Sequence, residues 1–262
     1  MYFDAYSRQD IVQDFATRDY LTPAEFAALG RVWPCVTGDV LDLGVGGGRT
    51  TGYLRGVARS YHAMDISEEM ARVFRQRHPG AEVSVGDART LAGVPDAGYD
   101  LVLFSFNGID YIAHDERRRV LASVLRVLRP GGAFVYSSHN LGVLQGKLPP
   151  VTPARSLPTR DPLRMLVRGL RSLAANARRR SNRRRLDSQQ YIAHDHAVVN
   201  DEGYDHSMLT VYVDPTEELA ALARAGFERM STIDAHGRAH QGPHADPWVY
   251  YVAYRPAHPP TA

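Results

Sequence analysis

The stretch Val40-Leu41-Asp42-Leu43-Gly44-Val45-Gly46-Gly47-Gly48-Arg49-Thr50 decides how the rest of the chain is read. A short apolar run meets a cluster of glycines and a helix then begins, which is how a strand hands a tight loop to a helix N-terminus in nucleotide-binding α/β folds. Glycine gives such a loop access to positive φ and lets backbone N–H groups come close to a ligand. A dinucleotide fingerprint requires G-x-G-x-x-G, and Arg49 stands where the last glycine is needed, so a dinucleotide is disfavoured.

The segments that follow carry the reading outward. Asp65 closes the run Tyr61-His62-Ala63-Met64-Asp65, roughly twenty residues past the loop, where a second strand should end and a carboxylate can accept both ribose hydroxyls. Asp87 ends a third strand, Ala81-Glu82-Val83-Ser84-Val85, after Gly86. Tyr99 to Phe104 reads as a buried parallel strand, and Leu128-Arg129-Pro130-Gly131-Gly132 as a helix end before a fifth strand.

In this order, Asp42-x-Gly44-x-Gly46-x-Gly48, Asp65, Asp87 and the Leu-Arg-Pro-Gly-Gly punctuation resemble the class I S-adenosylmethionine-dependent methyltransferases. The resemblance implies S-adenosyl-L-methionine as cofactor and S-adenosyl-L-homocysteine as product. It also implies a glycine loop against the methionine part of the cofactor, Asp65 on the ribose and Asp87 on the adenine amino group. The cofactor-binding residues expected are Asp42, Gly44, Gly46, Gly48, Asp65 and Asp87, with Ile66, Met70, Ala88 and Phe104 around them. The fold it implies is a Rossmann-like α/β core, a mostly parallel seven-stranded sheet with helices on both faces. An N-terminal helical cap and an insertion after the fifth strand complete it.

Boundaries follow from the pattern. Residues 1–37 form the cap, in which Thr22, Pro23 and Glu25 make a helix N-terminus and Tyr2, Tyr6 and Tyr20 are candidates to touch the ligands. Residues 38–139 form the cofactor-binding core. Residues 140–213 form the insertion, a helical stretch from Asp161 to Arg180 and then a hairpin of Tyr191–Val199 and Tyr204–Val213, expected to act as a substrate lid. Residues 214–262 supply a helix from Pro215 to Ala225, stopped by Gly226, and the last two strands, antiparallel to each other.

At 262 residues the chain suits one medium domain with an insertion. Charged residues make up 23 % and hydrophobic ones 44 %, as in an ordinary globular protein. No apolar run approaches a membrane span and no leader precedes Asp4, so a cytoplasmic protein is expected, a possible homodimer included. Cys35 is the only cysteine and closes no internal disulfide. The net charge of +2 hides an asymmetry: Arg155 to Leu186 holds eleven arginines against Asp161 alone. Such a run captures nucleic acid, a phosphorylated substrate or an anionic surface, or simply stays solvated. That segment has no aromatic residue for bases to stack on, which counts against RNA.

Open parallel sheets bind ligands beyond the carboxyl ends of their strands, so Ser105 to Tyr111 and Ser137 to Asn140 are the first suspects for the acceptor pocket. Phe106-Asn107-Gly108-Ile109-Asp110-Tyr111 with Ser137-Ser138-His139-Asn140 is similar to methyltransferases of sugar and secondary metabolism. His139 is the candidate general base, Asp110 its orienting partner and Tyr111 a further catalytic candidate. Asn107, Asn140, Tyr191, His194, His196 and His206 are expected to bind the substrate. His194-Asp195-His196 with His206 also suggests metal ligands, but His139-Asn140 replaces the acidic ligands that metal-dependent relatives carry after the fifth strand, so no metal is expected. The function that follows is methyl transfer to an oxygen of a small polar metabolite, with an amine nitrogen, RNA and non-catalytic cofactor binding as alternatives.

Overall fold

The computed structural model describes residues 18–151 and 162–257. Tyr2, Tyr6, the early cap segment and Arg155 lie outside the described residues. Among these residues one eleven-stranded sheet runs through the molecule. Its parallel half is β3 (Glu82–Val85), β2 (Ser60–Asp65), β1 (Asp39–Leu43), β4 (Tyr99–Phe104) and β5 (Leu128–Asn140), side by side in that order. The antiparallel strand β11 (Trp248–Tyr254) follows β5, then β9 (Glu228–Ile233) and the two-residue edge strand β10 (Ala239–His240). Strands β1 to β5 with β9 and β11 are the seven expected; the others are β10 and three short strands of the insertion.

Alternation along these strands sorts the core into two layers. Leu41, Val102 and Phe134 point to the face covered by α5 (Arg117–Val127) and α7 (Pro215–Ala225), against Val120, Val124 and Leu222. Val40, Leu101 and Val135 point to the other face, where α1 (Pro23–Arg31), α2 (Trp33–Val36) and α4 (Glu68–Arg77) supply Ala28, Val36 and Phe74. The local signals act as the sequence implied. Thr22 and Glu25 close a reciprocal capping box, Ser67 caps α4, and Gly226 ends α7 at φ 100°.

Three segments depart from the expectation. The Leu128–Gly132 punctuation is drawn into β5, because Leu128 already pairs with Tyr99 and the irregularity is absorbed before Leu101. The helix of the insertion, α6 (Pro162–Leu186), does not stop at Arg180 but continues through the arginine run. The hairpin is shorter and more folded than the alternation suggested. Tyr191–Val199 breaks at His194-Asp195 into β6 (Tyr191–Ile192) and β7 (His196–Val199), which pair with each other. Tyr204, Asp205 and His206 take left-handed φ in a turn before β8 (Thr210–Val213). Such a turn satisfies its backbone by local hydrogen bonds rather than by a ladder: Asn200 Nδ2 donates to the carbonyls of His206 and Met208.

The sheet forks where it matters for function. Strand β4 pairs with β5 up to Phe104 and Tyr136 and then leaves the sheet. Beyond that point β8 takes its place, pairing Tyr212 with His139 and Val213 with Asn140. His139 therefore sits between β8 and Trp248 of β11, at the mouth of the crevice opened by the departure of β4.

Candidate active site

A cavity of about 1080 Å³ opens at the carboxyl ends of β1, β2, β4 and β5. This is the place where an open α/β sheet presents loops rather than strands. Gly44 and Gly46 line it with φ of 59° and 55°, the left-handed backbone that only glycine adopts without strain. A side chain at Gly44 would also run into the Phe104 ring, 2.7 Å from where its Cβ would stand. Asp65 is buried at the cavity wall, one carboxylate oxygen accepting from Gly46 N–H at 2.8 Å and the other from Ser67 N–H at 2.9 Å. Burial pushes its carboxyl up, against the pull of those backbone donors. Ile66, Met70, Asp87, Ala88 and Phe104 line the same wall. Burial raises the Asp87 carboxyl, but Arg89, bonded to both of its oxygens, outweighs it and holds the group below the usual range.

Two residues of the motif sit behind the loop instead of facing the cavity. Asp42 accepts from Thr50 Oγ1 at 2.5 Å and from Tyr61 OH at 2.8 Å, so the far end of the glycine loop and strand β2 are tied to the carboxylate at the loop's start. Its complete burial raises it to about 6 despite those two donors. Gly48 packs against His78 and Phe74, where a Cβ would stand 2.4 Å from the imidazole. Asp42 and Gly48 therefore shape the loop and do not line the cavity. Arg49, in the place of the missing glycine, has the same kind of duty. Its guanidinium forks onto both oxygens of Glu25 at 2.6 and 2.7 Å and onto Ser105 Oγ at 2.7 Å, clamping α1 and the end of β4 to the loop.

On the opposite wall, His139 is held at both ends of a short chain of bonds. Its backbone N–H and its ring Nδ1 both lie 2.7 Å from Asp110 Oδ2. A carboxylate only accepts, so Nδ1 carries the proton and Nε2 is left as the basic nitrogen. Nε2 lies 3.4 Å from Asn107 Nδ2, and the ring is flanked by Tyr212 and Trp248 with centroids at 4.7 and 5.6 Å. All three neighbours line the cavity, as do Tyr20, Tyr111 and His139 itself.

Behind His139 is a buried ionic cluster. Arg117 donates to Asp110 Oδ1 at 2.8 Å and to Glu218 Oε1 at 2.8 Å, Tyr136 OH donates to the same Glu218 oxygen at 2.7 Å, and Ser138 Oγ donates to Asp110. Burial works against the Arg117 charge, but Glu218 and Asp110 outweigh it and keep the guanidinium cationic. Sequence reading missed Arg117 and Glu218, and a signal existed. Both occupy core phase, Arg117 with Val120, Leu121 and Val124, and Glu218 with Leu222, where a charge needs a buried partner.

The remaining candidates move away from the cavity. Asn140 donates to the carbonyls of His244 and Asp246 and accepts from Gly142 N–H, so its amide joins β5 to the loop before β11. His206 is buried with Nδ1 on the Asn200 carbonyl, and the His194 side chain is 91 % exposed. Tyr191 and His196 line a separate depression of about 340 Å³ with His114. From the insertion, the turn of Asp201 to Asp205 and Tyr212 reach the main cavity in their place. His114, Asp195 and His196 bring ligand-type atoms within 4.8 Å of one another. The two imidazoles stack at 3.6 Å and 7°, however, so their in-plane lone pairs do not converge on one ion.

Residues 40–132 match the family described as methyltransferase domain. The malonyl-[acyl-carrier protein] O-methyltransferase of Methylococcus capsulatus is 35 % identical over 110 residues, covering 40 % of this chain and 38 % of the relative. The dimethylglycine N-methyltransferase of Parasynechococcus marenigrum is 33 % identical over 131 residues, covering 46 % of this chain and 45 % of the relative. The matched part thus spans less than half the length of these curated relatives. Among solved structures, an S-adenosylmethionine-dependent methyltransferase from Mesorhizobium loti aligns with a TM-score of 0.58 at 20 % identity, covering 88 % of this chain and 98 % of the other. Residues 40–132 thus match a methyltransferase domain, and over this part the chain is similar to S-adenosylmethionine-dependent methyltransferases.

Proposed function

We propose that the protein transfers a methyl group from S-adenosylmethionine to an oxygen of a small polar metabolite, with His139 as the general base. The observation that carries this reading is the pair of bonds from His139 to Asp110, which fixes the ring with Nε2 toward the cavity that the glycine loop also lines. The donor set fits the cofactor. The left-handed Gly44 and Gly46 leave room for the methionine part, Asp65 suits the ribose hydroxyls, and Asp87 with the apolar Ile66, Met70 and Ala88 suits the adenine. About 1080 Å³ exceeds what one drug-sized ligand fills, which leaves room for an acceptor beside it.

The cofactor supplies an electrophilic methyl on a sulfonium whose charge is lost on transfer, so the protein mainly has to align the partners and exclude water. A sugar hydroxyl or phenol keeps its proton at neutral pH and needs a base within hydrogen-bond reach. His139 Nε2 takes that proton, Asp110 stabilises the imidazolium that forms, and Arg117 balances the buried Asp110 charge. Asn107 orients the acceptor. Its Oδ1 is buried without a partner among the described residues and calls for an O–H or N–H donor. That orphan acceptor equally suits an amine, which keeps N-methylation as the second reading, in line with the similarity to an N-methyltransferase. Release of S-adenosylhomocysteine during screening against sugars, phenols and amino acids tests the reading. Turnover with hydroxyl acceptors that survives His139→Ala at neutral pH removes the base; turnover with amines alone moves the assignment to nitrogen.

A further inference from the structure

Helix α6 presents a face that the rest of the described chain leaves uncovered. Its inner side is tied to the body through the turn before β8. Arg179 Nε donates to Asp205 Oδ1 at 2.8 Å, Asn182 Nδ2 to the Asp205 carbonyl at 2.9 Å, and Arg183 to the Asn200 carbonyl. The opposite side carries Leu170, 60 % exposed, and Leu173, 68 % exposed, with Ala174 and Ala177 following at helical spacing. Farther along that same side Arg180, Arg184 and Arg185 are exposed. Across residues 162–186 there are nine arginines and no acidic residue.

We infer that α6 docks the protein on an anionic lipid surface. A helix that shows leucines and arginines outward, with no acidic residue of its own, is suited to a layer that is apolar below and anionic above. The leucines enter the acyl boundary and the arginines bind headgroup phosphates. Charge complementarity selects this occupant over two others. A second copy meeting this face of α6 would set Arg180, Arg184 and Arg185 against the same three arginines, with no acidic residue within either helix to neutralise them. A nucleic acid would leave the leucines in water and would find no aromatic residue between Arg155 and Leu186 to stack on. Attachment is peripheral, since no helix among the described residues is long and apolar enough to cross a membrane. Because α6 holds the turn whose Asp205 lines the main cavity, docking brings the lipid surface beside the insertion wall of that cavity.

Sedimentation of the full chain with vesicles tests this without reference to methyl transfer. Vesicles of phosphatidylglycerol and phosphatidylcholine are expected to retain the protein at low salt and release it at high salt, whereas phosphatidylcholine alone retains little. The double substitution Leu170→Gln, Leu173→Gln lowers the partition coefficient about tenfold or more with an unchanged circular dichroism spectrum and thermal transition. The triple change of Arg180, Arg184 and Arg185 to Gln, also at exposed positions, does the same and weakens the salt dependence. Three results overturn the inference: no retention by the anionic vesicles at low salt, equal retention of the leucine variant, or binding to a mixed-sequence RNA without binding to vesicles.

Discussion

On one wall of the cavity Gly44, Gly46, Asp65 and Asp87 stand at the ends of three neighbouring parallel strands, held by loop shape, by backbone N–H groups at Asp65 and by the neighbouring Arg89 at Asp87. On the other wall His139, Asp110, Asn107 and Tyr212 come from β5, from the loop after β4 and from the insertion. Asp110, and through it His139, is fixed by an ionic chain whose members, Arg117 and Glu218, lie 101 residues apart. The first wall is built by backbone conformation, so each glycine and carboxylate has a set place in the chain. The second is held by long-range charge pairing, in which any core-facing arginine and carboxylate of suitable reach could serve. On the proposed reading the first wall would hold the cofactor and the second the acceptor.

The contrast can be broken at its most sensitive point with His139→Ala. For a hydroxyl acceptor, loss of the base should cut kcat about 10²- to 10⁴-fold at neutral pH. An unchanged kcat would make the second wall a mere boundary. Arg117→Met sharpens the comparison through stability. It leaves Asp110 and Glu218 buried without their counter-ion, and urea unfolding should show a loss of about 3–5 kcal/mol. A loss well under 1 kcal/mol would mean that the ionic chain does not hold that wall. The first wall responds to pH instead. A carboxyl at about 6 in the folded chain, against 3.8 for an exposed one, favours folding below pH 4 and loses that contribution, roughly 3 kcal/mol at most, as pH rises through 6. Asp42→Asn keeps an acceptor for Thr50 and Tyr61 and removes the titration. Its stability relative to wild type should therefore improve between pH 4 and pH 7, and an equal pH slope would contradict the assignment.

The same difference explains what could be read in the sequence. The positions of the core strands along the chain, the helix caps at Thr22 and Gly226 and the cavity-lining Gly44, Gly46, Asp65 and Asp87 were legible because each depends on neighbours within a few residues or on an ordered series of motifs. Asp42 and Gly48 belong to the motif, yet which side of a loop a residue faces is set by packing against Tyr61, Phe74 and His78, and no spacing reveals that. The insertion was the least legible part. Alternation placed strands at Tyr191 and Tyr204 and made ligands of their histidines, but three successive left-handed residues redirected the chain, bringing Tyr204 and Asp205 to the cavity and burying His206. Asn140 misled for a simpler reason: a strand-end amide that bonds three backbone groups looks the same in sequence as one that awaits a ligand.

The most direct test of a cavity divided into a cofactor wall and an acceptor wall is calorimetry with S-adenosylhomocysteine on wild type, Asp65→Ala and His139→Ala. The expected result is binding by wild type, affinity about ten- to a hundredfold weaker in Asp65→Ala, and affinity within about twofold of wild type in His139→Ala. Absence of heat with wild type, wild-type affinity in Asp65→Ala, or an equal loss in both variants would contradict it.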